Sequence, residues 1–276
     1  RTSPMDQAAH TAAAEQRFSD ARAARRWADM YDSDTESLQE ANFRTRCDVT
    51  VKYVRRLLPA GGRVLDLGCG SAPVLSQLRK HGVPCTGLEY SEDMLRHARA
   101  RLQSMQLDEG DLHRGDCRKT QFESASFDVV VCLGVISYVE DYAVVLNEIK
   151  RILKPGGFAF VSFRNRFNLV LWDPVVALKT LVRAATGRLR PEPYKIGRFM
   201  DFREFRRKMD DAGFEYRHFV GIGLGPVKFA RRALFPERVS IRLSNSLTAV
   251  LHRLGWQAPM RWLADVSLWV YSKPAA

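Results

Sequence analysis

The 276-residue sequence contains little cysteine, and the five cysteines it has fall in no recognisable pattern. Cys47, Cys69, Cys85, Cys117 and Cys132 are odd in number, and no two stand in a C-x-x-C spacing. That argues against both a disulfide framework and a zinc site, so no metal is expected. The cysteines read as small apolar residues in a reducing, cytoplasmic setting. Long apolar runs are missing too: nothing reaches the roughly 18 residues that a membrane-spanning helix needs. Arg1-Thr2-Ser3-Pro4-Met5 lacks the apolar segment of a secretory leader, and Met5 is read as the natural start with a cloning remnant before it. No internal repeat or low-complexity tract is visible. What remains is 46% hydrophobic and 27% charged, an ordinary globular balance with enough chain for one sizeable core and a modest lid.

Acidic charge is scarce only in one region. Residues 1–60 carry 10 Lys/Arg against 9 Asp/Glu, and residues 61–160 carry 12 against 13. Residues 161–276 carry 21 against 9, so the whole net charge of +12 resides there. An acidic partner would be met by this part of the chain, unless the excess is only a solvated basic helix face.

Residues 8–30 and 37–58 read as helices that form an N-terminal cap over residues 1–60, and Pro59-Ala60-Gly61-Gly62 ends the second. From residue 61 short apolar runs alternate with helical patterns. Strands are expected at 63–67, 84–89, 111–115, 127–133 and 158–163, with helices at 72–80, 92–103 and 141–153. Ser91 can cap the helix that follows it. Val129-Val130-Val131 reads as a strand buried on both faces. Later come a helix at 202–212, a strand at 214–220 and a last strand at 266–271. The alternation predicts an α/β, doubly wound, mostly parallel seven-stranded sheet. Basic, apolar helical insertions at about 164–200 and 223–263 are expected to form a lid.

Gly68-Cys69-Gly70 ends the first strand and opens a helix, where glycines let a ligand approach the backbone and its N–H groups. Position 73, where a dinucleotide loop would carry a third glycine, is Pro73. Other residues at coordinated spacing strengthen the loop. Asp66 can help hold a cationic amino-acid moiety, or cap the glycine turn. Glu89 ends the second strand, placed to accept two hydrogen bonds from a ribose diol. Asp116, after the third strand, can accept from an adenine amino group, or be a solvated turn acid. Leu153-Lys154-Pro155-Gly156-Gly157 leads into the fifth strand.

With VLDLGCG, GLEYSEDML, GDCRKTQFESASFDVVVCLGVISYV and LNEIKRILKPGGFAFVSF, residues 62–163 resemble the class I S-adenosylmethionine-dependent methyltransferases. The resemblance implies S-adenosylmethionine as cofactor, with its contacts on Asp66, Gly68, Gly70, Glu89, Asp116 and Leu133. Tyr90 and Met94 would flank the adenine, Cys117 would offer its backbone N–H, and Cys69 would be a small loop filler. Tyr31 and one of Arg44 or Arg46, preferably Arg46, can reach the methionine carboxylate, because guanidinium suits bidentate carboxylate recognition.

A sulfonium methyl is already activated, so alignment and water exclusion matter most. Ser137 and Tyr138 stand where many family members carry histidines, so a His base is not expected there. Tyr138 and Asn165 are the expected acceptor-side contacts. The acceptor should be read from the lid, whose Leu169, Leu171, Trp172, Phe229, Leu234, Trp256 and Trp262 suit a small, partly apolar molecule. That molecule can be acidic, lipid-like, or presented by an acidic carrier protein or membrane surface. The competing class is an RNA or tRNA methyltransferase using the basic C-terminal part. Against it, no RNA-binding module is visible, and Leu133-Gly134-Val135-Ile136 replaces the N/D-P-P-Y/F motif of many nucleic-acid amino-methylating enzymes. A catalytically silent cofactor-binding scaffold is a third class, and the complete cofactor set argues against it.

Overall fold

The computed structural model describes residues 25, 27–31, 37–168, 172–186, 197–230 and 232–275. The helix expected over 8–30 therefore lies mostly outside the described residues, as do Leu169 and Leu171. Strands in chain order are Val64–Leu67 (β1), Cys85–Glu89 (β2), Leu112–Arg114 (β3), Phe127–Leu133 (β4), Leu153–Arg164 (β5), Glu215–Leu224 (β6), Lys228–Phe229 (β7), Arg232–Ala233 (β8) and Ala264–Ser272 (β9). Seven of them make one sheet ordered β3-β2-β1-β4-β5-β9-β6, and β7 with β8 makes a small hairpin. The pairs from β3 through β5 are parallel, while β9 runs antiparallel between β5 and β6. Strand order reverses at β1/β4, the place where doubly wound sheets open a crevice for ligands.

The helices are Leu38–Leu57 (α1), Pro73–Lys80 (α2), Glu92–Ser104 (α3), Ala143–Ile152 (α4), Pro174–Ala185 (α5), Phe202–Asp211 (α6), Glu237–Arg253 (α7) and Gln257–Leu263 (α8), with a 3₁₀ turn at Val135–Tyr138. Their starts follow local chemistry. Ser37 and Glu40 form a reciprocal capping box on α1, and the Ser91 side chain accepts from Met94 N on α3. On one sheet face Phe43, Cys47 and Val51 of α1 share a core with Leu75 and Leu78 of α2 and Val129 and Val131 of β4. Expected as part of a separate cap, α1 is thus a full member of a helical layer. On the other face α4 and α6 bury Val145, Ile149 and Phe205 against Val130, Phe163 and Trp269. Neighbouring β4 residues point to opposite faces, and both faces are covered, which is why its apolar run is continuous.

Two expectations about the later chain change. Strand β5 begins at Leu153, five residues ahead of Phe158, because α4 passes into it without a connecting loop. Leu153 pairs with Phe127, so the Pro155-Gly156-Gly157 turn sits at the start of β4, at the opposite end of the sheet from Gly68. The 223–263 insertion is not a roof. It packs α7 and α8 against the terminal strand β6, with Ser244 Oγ accepting from Leu224 N at 2.7 Å and His252 Nε2 contacting Gly221 O at 2.9 Å.

Asn165 is likewise a fastener, not an acceptor contact. It is fully buried, and its amide Nδ2 donates toward the carbonyls of Arg261 (2.9 Å), Trp262 (3.2 Å) and Ala264 (3.2 Å). Its Oδ1 accepts from Phe167 N at 3.2 Å. The side chain clamps the α8–β9 corner onto the end of β5. Asn165→Ala is expected to lower unfolding free energy by about 2–3 kcal/mol, because several backbone groups lose a buried partner. Urea titration should show this loss while cofactor affinity stays unchanged; a loss of affinity at full stability would restore the residue to the site.

Candidate functional site

A cavity of about 410 Å³ opens at the C-terminal ends of β1, β2 and β4. Asp66, Gly68, Cys69, Gly70, Glu89, Tyr90, Met94, Asp116, Cys117 and Leu133 all line it, as do Tyr31, Arg46 and Tyr138. The fold thus gathers thirteen of the fourteen expected site residues and leaves out Asn165. The cavity is also lined by residues that were not expected from the sequence: Trp27, Gln39, Phe43, Val139, Val144, Gly197 and Arg198. The Gln39, Phe43, Arg46 spacing of four and three residues was the available signal, since it puts all three on one face of α1.

The glycine loop is shaped by its neighbours. Gly68 has a φ of +77°, and a side-chain carbon there would run into Val135. Gly70 has a φ of +56°, with Met94 Cε at 3.2 Å from where a Cβ would stand. Gly68 needs a residue without a side chain, and at Gly70 the left-handed backbone disfavours one. Glu89 reaches across from β2 to hold this loop: one carboxylate oxygen accepts from Gly70 N at 2.9 Å, the other from Tyr90 N and Ser91 N, each at 2.9 Å. Burial pushes its carboxyl above the usual range, and the Ser91 and Gly70 N–H groups pull against that shift.

Asp66 is almost fully buried. Its carboxyl is pushed up to about 7, first by burial and next by the Glu89 charge, with Arg46 opposing. Arg46 is buried as well, with Nη2 donating to Tyr31 Oη at 2.8 Å and Nη1 to Ser162 Oγ at 3.4 Å. Its guanidinium lies over the Phe43 ring at 4.7 Å. The Tyr31 hydroxyl is pushed up to about 12 by its burial, so it stays neutral. Arg46 Nε is buried with no hydrogen-bond partner among the described residues. Of the two arginines considered, Arg44 does not line the cavity. A buried cation with a spare donor beside a buried acid suits a zwitterionic amino-acid group. The donor set therefore fits the methionine end of S-adenosylmethionine.

Asp116 is not a free acceptor. Its carboxylate takes the Arg118 guanidinium at 2.5–3.0 Å and Arg118 N at 2.8 Å. A carboxylate has about four acceptor sites, so capacity remains beside that clamp. Among the described residues lining the cavity, none is a histidine. His113 packs edge-on against Phe122, and His218 hydrogen bonds Tyr53 at 2.8 Å. Trp172, Phe229, Leu234, Trp256 and Trp262, expected to shape the acceptor site, do not line the cavity either. Trp262 instead packs edge-on against Phe202 and at a tilt against Phe167, and Trp172 donates to Leu263 O.

An open sheet with glycine loop, buried acids and a buried guanidinium at its switch point defines a nucleotide-type cofactor site. Comparison with known proteins makes this specific. A methyltransferase-domain family model matches residues 65–161. The ubiquinone biosynthesis O-methyltransferase of Pseudomonas paraeruginosa is 30% identical over 176 residues, 61% of this chain and 71% of that protein. A phosphatidylethanolamine N-methyltransferase of Cereibacter sphaeroides is 33% identical over 138 residues, 49% of this chain and 63% of that protein. In structure, magnesium protoporphyrin IX methyltransferase from Synechocystis, with bound SAH, superposes with a TM-score of 0.61 at 15% identity, covering 96% of this chain and 99% of that one. The chain belongs to the class I S-adenosylmethionine-dependent methyltransferases. It is an enzyme whose cofactor is S-adenosylmethionine.

Proposed function

We propose that the enzyme methylates an oxygen or nitrogen of a small, partly apolar metabolite. One observation carries this reading: the cavity lined by the expected cofactor residues is also lined by Trp27, Phe43, Val139 and Val144. Apolar and aromatic lining with a few polar groups suits a small organic molecule, whereas a nucleic acid needs an open basic groove. The relatives named for ubiquinone and phosphatidylethanolamine chemistry agree with a small or lipid-like acceptor.

S-adenosylmethionine, when bound, supplies a methyl group already activated on its sulfonium. The chain's own residues then hold and shield. In this reading Asp66 takes the amino group beside the Leu133 backbone, while Arg46, with Tyr31 behind it, takes the carboxylate. The backbone of Gly68, Cys69 and Gly70 packs on the methionine portion, and Glu89 accepts from the ribose diol. Asp116 and the Cys117 N–H meet the adenine, which Tyr90 and Met94 flank. Tyr138, whose ring packs at 3.1–3.4 Å from the Cβ position of Gly197, orients the acceptor. In this reading alignment and desolvation are the chain's main catalytic means.

The test is methyl transfer from labelled S-adenosylmethionine into two pools, fractionated small metabolites and total tRNA. Label is expected in the organic-extractable small-molecule fraction. Label in tRNA, with an affinity that falls steeply with salt, would replace this reading with the nucleic-acid one.

A further inference from the structure

Helix α7 carries apolar side chains on two faces, with the partly buried Leu251 packed on the core. Its buried residues against the sheet include Ser240 and Ser244, and only Ile241 among them is large and apolar. Its outer face carries Val239, Leu243, Leu247, Val250 and Leu254, which are 41–59% exposed. Their spacing of 4, 4, 3 and 4 residues makes one continuous stripe along the helix. Exposed single leucines are ordinary, but a five-residue apolar stripe on an outward face is not.

The stripe has neighbours. Leu234 and Phe235, both exposed, lead into α7 from the β7–β8 hairpin. That hairpin is tied to the start of α5 by Lys228 N donating to Trp172 O at 2.7 Å and Ala230 N to Asp173 Oδ1 at 3.2 Å. Helix α5 in turn exposes Leu178, Leu181 and Val182. The start of α7 is fixed beside the cavity, since Glu237 accepts from Leu38 N at 2.9 Å and the next residue, Gln39, lines it.

Charge selects the occupant. The described residues of 172–186 and 227–256 hold seven Lys/Arg against two acids, of which Asp173 is buried and Glu237 is spent on α1. Arg238, Arg242 and Arg253 flank the α7 stripe itself. A second copy of this chain would set cations against cations, which disfavours self-association through this face. An aliphatic stripe bordered by arginines suits the boundary between anionic headgroups and acyl chains. We propose that α7, with the hairpin and α5, seats the enzyme on an anionic phospholipid bilayer, with the cavity rim beside the lipid surface. The proposal concerns the surface and does not depend on which molecule is methylated.

Flotation with vesicles tests it. The protein is expected to float with phosphatidylcholine vesicles containing about 30% phosphatidylglycerol, and at least roughly tenfold less with phosphatidylcholine alone. Leu243→Gln with Leu247→Gln should weaken anionic-vesicle binding by about tenfold or more. Arg238→Gln with Arg242→Gln should do the same, and raised salt should mimic it. Calorimetric affinity for S-adenosylmethionine should stay unchanged in both, which separates loss of docking from loss of fold or of the cofactor site. No vesicle binding by the parent protein, or equal binding by parent and variants, overturns the proposal. A concentration-dependent dimer abolished by the leucine pair would assign the stripe to a second copy, and vesicle-independent capture of an acidic carrier protein by the same stripe would assign it there.

Discussion

Glu89→Ala is expected to lower the affinity for S-adenosylmethionine by about two orders of magnitude or more, read by calorimetry. In the proposed site the carboxylate accepts from the ribose diol, and each hydrogen bond to a charged acceptor contributes roughly 1.5–3 kcal/mol. The same side chain also holds Gly70, Tyr90 and Ser91 through their N–H groups. Its removal therefore loosens the glycine loop as well as deleting the ribose partner. Glu89→Gln sharpens the test. Both carboxylate oxygens already face N–H donors, so the amide –NH₂ of glutamine must point at one of them, donor against donor. Glutamine is thus expected to fail nearly as badly as alanine despite its matching shape. Affinity that survives both changes would remove Glu89 from the cofactor site. A variant that binds normally but unfolds at lower temperature would leave it a purely structural role.

Much of this architecture was legible because local rules and global fold agree from Arg63 to Leu133. Ser91 caps the helix it was expected to cap, and Phe127–Leu133 stands as read, since a strand covered on both faces must be continuously apolar. The candidate site residues could be grouped from the sequence because strand ends bring chemistry together at fixed spacing. Asp66, Glu89 and Asp116 lie far apart in sequence, yet each follows its own strand into one cavity.

What failed to show in the sequence failed for physical reasons. Asn165 follows β5, where site residues gather, and its chemistry at that position does not reveal that three carbonyls of the α8–β9 corner consume its amide. Pro155-Gly156-Gly157 signals a turn but not which end of the sheet it occupies. The stripe of α7 has clear helical period, yet period alone cannot say which face turns inward, and here the serines do. Two-residue strands such as β7 and β8 fall below any periodicity. Of the aromatic residues expected around the acceptor, Trp172 packs against the core while Phe229, Trp256 and Trp262 stay exposed, because a bulky ring can serve a core, a surface or a binding wall.

Arg46→Met should also cut cofactor affinity by about a hundredfold, and it should do so with a distinctive pH signature. Methionine keeps most of the stem's volume against Phe43 while deleting the donors that would meet the carboxylate. The loss in folding stability should be smaller, because removing a buried cation also removes its desolvation cost, which offsets the lost bonds to Tyr31 and Ser162. The signature comes from Asp66. Its carboxyl titrates near 7 in the folded chain, against about 3.9 when unfolded. The stability this group contributes is therefore fully present below the unfolded value and is lost as pH rises through 7. An ammonium group on the cofactor demands the ionised form, so binding below pH 7 must expel that proton. Affinity should climb by up to about tenfold per pH unit and then level off above 7. Arg46 is the charge that holds Asp66 down, so Arg46→Met moves the break in this profile to higher pH. Calorimetry from about pH 5.5 to 9, in buffers of different ionisation enthalpy, counts the released proton and locates the break. Coincident breaks in parent and variant would show that Asp66 and Arg46 do not act as one zwitterion-binding pair, and a profile flat in both would take Asp66 out of cofactor binding.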